Sequence, residues 1–213
     1  MVFVLTEQNT VANQFLLELR DRDIQQDRLR FRTNLERLGA VMAYEISKQM
    51  AYRTRRVETT LATSTITVLQ EQPVLLTILR AGLPFYSGFQ HFFDRSDAGF
   101  IGAFRNENTM SINLDYIATP HIGGKQVILI DPMLATGRSI AEAVKAITKN
   151  GIPQHLFIAS LVAAPEGIEN LKRVISIPFS IYTVALDERL NQKNYIVPGL
   201  GDAGDLSFGE KEE

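Results

Sequence analysis

From Pro73 onward, short apolar runs alternate with helical patterns, and that alternation limits the chain to few architectures. Val74–Leu79 (VLLTIL) shows no polar face, the mark of a strand covered on both sides. Ala98–Phe104, Gln126–Ile130, His155–Val162 and Phe179–Ala185 read as further strands, and Met110–Ile117 as an alternating strand with one exposed face. Helical patterns fall near Pro84–Phe93, at Ile140–Lys149 with an Asn150-Gly151 stop, and at Pro165–Lys172. Strand–helix repetition predicts an α/β fold, a parallel sheet with helices on both faces.

The first 72 residues read differently. A helix capped by Asn9 or Thr10 carries Val11, Phe15, Leu16 and Leu19 at helical spacing. A second helix, from about Gln25 to Met50, repeats Leu35, Leu38, Val41, Met42 and Ile46; its Arg28, Arg30, Arg32 and Arg37 are expected to face solvent or a partner subunit. Arg56–Leu69 alternates Val, Thr and Ile, predicting a hairpin that turns near Thr63 and Ser64 and is too polar for the central sheet. With 213 residues and 45% hydrophobic content there is material for one sizeable core. The expectation is one domain, with 1–72 packed as helices and an arm on a core at 73–208.

Composition removes whole classes of function. There is no cysteine, which excludes disulfides, thiolate catalysis and zinc–sulfur sites. His91, His121 and His155 show no ligand spacing, so no protein metal site is assigned. A net charge of -2 gives no field for nucleic acid or an anionic membrane. MVFVLTEQNT has neither a basic n-region nor a long apolar run, and a cytoplasmic setting is expected. Arg53, Arg55 and Arg56 read as a solvated face or a subunit contact, with an anionic effector as the other reading.

Chemistry concentrates at strand ends. After Gln126–Ile130 come Asp131 and then Thr136, Gly137, Arg138 and Ser139, at the start of a helix. Backbone N–H groups, two hydroxyls and a helix N-terminus suit a phosphate carried on a sugar. Asp131 would be repelled by that phosphate and suits ribose hydroxyls or a metal. The letters TGRS alone fit a capped strand–turn–helix; the string from Gln126 to Ser139 favours phosphate. Arg80 and Arg105 each follow a strand and suit a multiply charged anion such as pyrophosphate, or an ordinary ion pair. PGLGDAGD at 198–205 either reads a flat pyrimidine with backbone groups or is a glycine-rich turn.

ILRAGL at 78–83, FRNE at 104–107, DPMLATG at 131–137, LVAAPEGI at 161–168 and YIVPGLGDAGD at 195–205 resemble, in order, the signature segments of the uracil phosphoribosyltransferases among the type I phosphoribosyltransferases. The resemblance implies the type I phosphoribosyltransferase core and the conversion of uracil and phosphoribosyl pyrophosphate to UMP and diphosphate in pyrimidine salvage. It implies that Arg80 and Arg105 hold the diphosphate. Asp131, Pro132, Met133, Leu134, Ala135, Thr136, Gly137, Arg138 and Ser139 would hold the ribose and 5-phosphate. Ile196, Gly201, Asp202 and Ala203 would hold uracil, with Asp202 also near the phosphoribosyl substrate. Asp202 and Arg105 are the expected catalytic residues, and Mg2+, carried mainly by the diphosphate, the expected cofactor. A homodimer or larger homo-oligomer through the arm is implied, and GTP binding is an expectation that no motif here locates.

This chain departs from the family at Arg138, where Gly-Gly-Ser is usual, at Leu206, where arginine is frequent, in the segment after Glu107, and in lacking an N-terminal His-Pro-Leu. The alternative on the same fold is a non-catalytic regulator sensing nucleotides or phosphoribosyl pyrophosphate.

Overall fold

In a computed structural model the structure describes residues 1–105 and 112–210, without the side chains of 104, 105, 112 and 113. Asn106 and Glu107 of FRNE, Met110 at the start of the alternating run, and the end of the charged tail lie outside the described residues. The elements are β1 (Val2–Val4), α1 (Ala12–Arg20), α2 (Arg28–Ser47), β2 (Tyr52–Glu58), β3 (Thr63–Leu69), β4 (Val74–Leu79) and α3 (Gly82–Gln90). Then follow β5 (Ala98–Arg105), β6 (Ile112–Ala118), β7 (Gln126–Ile130), β8 (Met133–Leu134), α4 (Arg138–Ile147) and β9 (His155–Ala163). The chain continues through α5 (Pro165–Val174), β10 (Phe179–Leu186), β11 (Arg189–Leu190), β12 (Ile196–Val197) and α6 (Ala203–Phe208).

The central sheet runs β1-β10-β9-β7-β4-β5-β6, with β8 paired to β9. All pairings are parallel except β5 with β6 at one edge. Successive strand residues point to opposite faces, and the two faces feed two cores. Leu75, Ile128, Ile130, Phe157 and Tyr182 join α1, α2, α3 and α6 on one side. Val74, Leu76, Val127, Leu129, Leu156 and Ile158 join α4 and α5 on the other. Helices therefore cover both faces, which is why these strands read as continuous apolar runs.

The N-terminal region corrects several expectations. The hairpin turns at 59–62, not at Thr63–Ser64, because Thr59 closes it. Its hydroxyl donates to the Ala62 carbonyl at 2.6 Å and accepts from the Leu61 and Ala62 N–H groups. Thr63 and Ser64 stay extended in β3, facing Glu58 and Val57. The long helix starts only at Arg28, since Asp27 accepts from the Arg30 N–H at 3.0 Å and caps it; Gln25 and Gln26 belong to the preceding 3-10 turn. Val11 lies outside the apolar stripe of α1 and is exposed.

The arginines of α2 are not simply solvated, because α1 and α6 lie along their face. Arg30 grips Glu18 at 2.7 and 2.9 Å, Arg32 donates to the Ser207 carbonyl at 2.7 Å, and Arg37 sits over the Phe15 ring. The Arg30 guanidinium and then the Asn34 amide hold the Glu18 carboxyl down to about 2.

α2 and α3 touch through glycine. A Cβ at Gly88 would strike the Glu36 carbonyl oxygen and lie 2.8 Å from the Gly39 carbonyl carbon. Gly88→Ala should therefore part the two helices at a cost of about 1–3 kcal/mol, seen as a Tm lowered by roughly 2–4 °C per kcal/mol. An unchanged thermal transition would show that these helices separate without cost.

Candidate active site

Ligands of open parallel sheets bind beyond the carboxyl ends of the strands, where successive connections diverge. Here that point lies between β4 and β7. From β4 the chain moves outward to β5 and β6; from β7 it moves the other way to β9 and β10. Arg80 follows β4 and Asp131 follows β7, so the two residues flank the switch point. β5 is the other neighbour of β4, with Gly102 opposite Leu79. Arg105 thus ends a strand that runs three residues further, roughly 10 Å. The three strand ends singled out in the sequence are adjacent.

Two small-residue contacts bring the strand ends together. Thr77 Oγ1 donates to the Ile130 carbonyl at 3.2 Å, tying β4 to β7 one step before Asp131. A Cβ at Gly82 would collide with that same hydroxyl. The glycine of the Arg80-Ala81-Gly82 turn is what lets α3 begin directly over this pair.

The segment after β7 is only partly a loop. The Asp131 N–H donates to the Ala159 carbonyl, and the Pro132 carbonyl accepts from Leu161 and Val162. Met133 and Leu134 pair with β9 as β8. Pro132 and Leu134 are buried, and the Met133 N–H turns back to Asp131 Oδ1 at 3.2 Å. The open part is Ala135–Ser139. Gly137, at φ +73°, is the N-cap of α4 and offers no side chain to its first-turn N–H groups. Thr136 Oγ1 reaches the Arg138 N–H only at 3.4 Å, and the Arg138 side chain is exposed. The uncapped helix start leaves donors for an anion.

Two residues of α5 that the sequence reading passed over hold this loop. A Cβ at Gly167 would strike the Ala135 carbonyl oxygen, so only glycine lets α5 lie against it. Asn170 Nδ2 donates to the Thr136 carbonyl at 2.9 Å. A glycine inside a helical pattern was the available signal.

The second loop is anchored by the β11–β12 ribbon. Ile196 is buried, and Gly199 and Gly201 adopt φ +62° and +99°. The final residues are not loop, as the glycine-rich letters suggest: Asp202 caps α6, accepting from the Gly204 and Asp205 N–H groups at 2.8 and 3.0 Å. Arg80 reaches this helix. Its Nη2 donates to Asp205 Oδ1 at 3.0 Å and to the Gly209 carbonyl at 3.1 Å. A cavity of about 320 Å3 opens between Leu200, Gly201, Asp202 and Leu206 on one wall and Gln25 and Arg28 on the other. That is the lower end of the usual range for small-molecule pockets.

A family model for uracil phosphoribosyltransferase matches residues 6–210. The chain belongs to the uracil phosphoribosyltransferase family. It is 46% identical to a protein named uracil phosphoribosyltransferase from Porphyromonas gingivalis, over 99% of both chains. A Pyrococcus furiosus protein of the same name is 36% identical, over 96% of this chain and 88% of the relative. The solved structure of the AQ2163 protein from Aquifex aeolicus superposes with a TM-score of 0.88 at 32% identity, covering 98% of each chain. Among the described residues no helix is long and apolar enough to cross a membrane.

Asp131, the acid that follows β7 at the switch point, is 8% exposed. Burial pushes its carboxyl up to about 6, against the opposing hydrogen bond from the Met133 N–H. With the folded value raised, the neutral form is favoured, and the associated stability is lost as pH rises through about 6. A ligand that donates hydroxyls to this carboxylate favours the charged form instead. UMP affinity should therefore rise as pH increases through about 6. The UMP phosphate titrates in the same region, so the Asp131 share is the part that disappears in Asp131→Asn. Calorimetry between pH 5 and 8, a window around that value, separates the two. Identical profiles in parent and variant would remove Asp131 from the ligand.

Proposed function

We propose that this chain transfers the phosphoribosyl group of phosphoribosyl pyrophosphate to uracil, giving UMP and diphosphate, as a step of cytoplasmic pyrimidine salvage. The observation that supports this most is the convergence at Arg80. It follows the strand that pairs with β7, and its guanidinium bonds Asp205 in the helix capped by the base loop. A diphosphate, a ribose 5-phosphate and a base would each meet a separate loop at one switch point.

In the reaction the bond from C1′ to the diphosphate oxygen breaks, the bond from C1′ to uracil N1 forms, and N1 loses its proton. Charge builds up on the sugar as in glycoside chemistry. Arg80 and Arg105 neutralise the departing diphosphate. Asp131 accepts from the ribose hydroxyls. Backbone donors of Ala135–Ser139, with the Thr136 and Ser139 hydroxyls, hold the 5-phosphate. Backbone groups of Ile196, Gly201 and Ala203 read the uracil edge, and Asp202 orients the base or takes its proton. Mg2+ is commonly held by one or two carboxylates plus substrate phosphates, and Asp131, buried at the switch point, is the carboxylate that would fit that pattern. It would supply charge neutralisation on the diphosphate.

The β2–β3 hairpin supports assembly into a homo-oligomer. Tyr52, Val57, Leu61 and Ile66 are exposed on it, Leu61 by 95%. A two-stranded ribbon alone is marginal in water, and a second copy would cover these side chains. Sedimentation velocity should give at least a dimer; a monomer at micromolar concentration would leave the arm without this role.

The activity is tested with purified protein, Mg2+, phosphoribosyl pyrophosphate and a panel of bases, the product read by mass. Uracil should lead, with cytosine disfavoured by up to about 10⁴ in kcat/KM, because an amino group in place of a carbonyl leaves backbone donors unpaired. In the same assay Arg105→Ala should raise the KM for phosphoribosyl pyrophosphate roughly ten- to a hundredfold, the worth of one charge-assisted pair. A purine used as well as uracil would overturn the base assignment.

A further inference from the structure

The base loop is gripped from outside by one ion pair. The Gly199 N–H donates to Asp187 Oδ2 at 2.8 Å. The Gly199 carbonyl accepts from Arg20 Nη1 at 3.4 Å. The same guanidinium donates through Nη2 to Asp187 Oδ1 at 2.5 Å. Asp187 is 7% exposed and directly follows β10; Arg20 is the last residue of α1. The two polar ends of one residue are thus held by two side chains from opposite ends of the chain. Gln25 adds a third hold: with its amide oriented to satisfy both acceptors, its nitrogen donates to the Leu200 and Leu19 carbonyls at 2.9 Å each.

Stability alone does not account for such a pair. Asp187 is buried while the Arg20 side chain stays 22% exposed; desolvation offsets much of the attraction of such a pair, and apolar replacements of buried pairs are often as stable. What the pair does specify is geometry. A Cβ at Gly199 would strike the Ile196 carbonyl oxygen, so Gly199 lies directly on one of the residues assigned to the base. Gly201 is two residues further on. A shift of the Gly199 peptide moves the backbone groups on either side of it.

We propose that Arg20 and Asp187 are positioning residues for uracil: they lock the 196–203 backbone in the register that reads the base, without touching it. The inference rests on the assignment of that loop to uracil. It extends the site to α1, which carries no substrate residue, and it makes base discrimination depend on a contact between the N-terminal helix and the end of β10.

The test compares the parent protein with Asp187→Asn and Arg20→Lys in steady-state kinetics, varying uracil, cytosine and phosphoribosyl pyrophosphate separately, with thermal melts alongside. The amide keeps an acceptor for Gly199 but loses the charge that orients Arg20. The ammonium of Lys keeps the charge but replaces the two-nitrogen fork that serves the Gly199 carbonyl and Asp187 with a single shorter-reaching point. In both, the KM for uracil should rise roughly tenfold or more, on the scale of a sub-ångström misplacement, and the uracil-to-cytosine ratio should fall. The KM for phosphoribosyl pyrophosphate should stay within about twofold of the parent, since its phosphates and ribose are assigned to Arg80, Arg105 and the 131–139 loop, and only Asp202 is shared with the base loop. Folded variants with unchanged uracil KM and selectivity overturn the inference while leaving the proposed activity standing. Equal losses for both substrates, or failure of both variants to fold, also overturn it, because the pair would then be a general support. A parent protein with no uracil transfer would remove the proposed activity and this inference with it.

Discussion

The junction of β4 with β7 is the constraint on which the site depends. Two chain directions diverge there, and the crevice between them exists because the connections leave to opposite sides. The junction is held beyond its ladder by Thr77, whose hydroxyl meets the Ile130 carbonyl at 3.2 Å inside a fully covered sheet. Gly82 then sets α3 against that hydroxyl. One polar side chain in an otherwise apolar strand thus fixes the spacing of the loops that begin at Arg80 and Asp131.

The central sheet was legible because its strands are covered twice. Apart from the buried Thr77 and Ser160, both faces of β4, β7 and β9 are largely apolar, so the sequence carries runs that no helix of moderate length would need. Elements with polar partners were harder to read. α2 carries arginines that periodicity assigns to solvent or a partner subunit, yet Arg30 and Arg32 meet Glu18 and the Ser207 carbonyl of the same chain. Those partners lie on other helices, 12 and 175 residues away in sequence. The hairpin turn was misplaced because a side chain, not a glycine, closes it. β1 was missed because three residues at a sheet edge carry too short a pattern.

The candidate site shows the same division. Asp131, Thr136 and Gly137 are marked by their place between a buried strand and a helix. Gly167 and Asn170 are not marked in this way, since their function is to touch a loop some thirty residues earlier. The PGLGDAGD string looks wholly irregular, because three glycines hide that Asp202 begins a helix. A carboxylate that caps a helix is fixed in place by two backbone donors. Such a group is better suited to orienting a ligand than a freely rotating one would be.

Arg80 ties these parts together through charge. The whole chain is close to neutral, at -2, so attraction for a polyanionic substrate must come from local groups. Among the described residues Arg80 donates to Asp205 and to the Gly209 carbonyl, both belonging to the segment that follows the base loop. The pair is more than a third exposed on each side, so water screens it and it contributes little to stability. In the proposed reaction, a diphosphate held by this guanidinium would share it with Asp205 or displace that carboxylate.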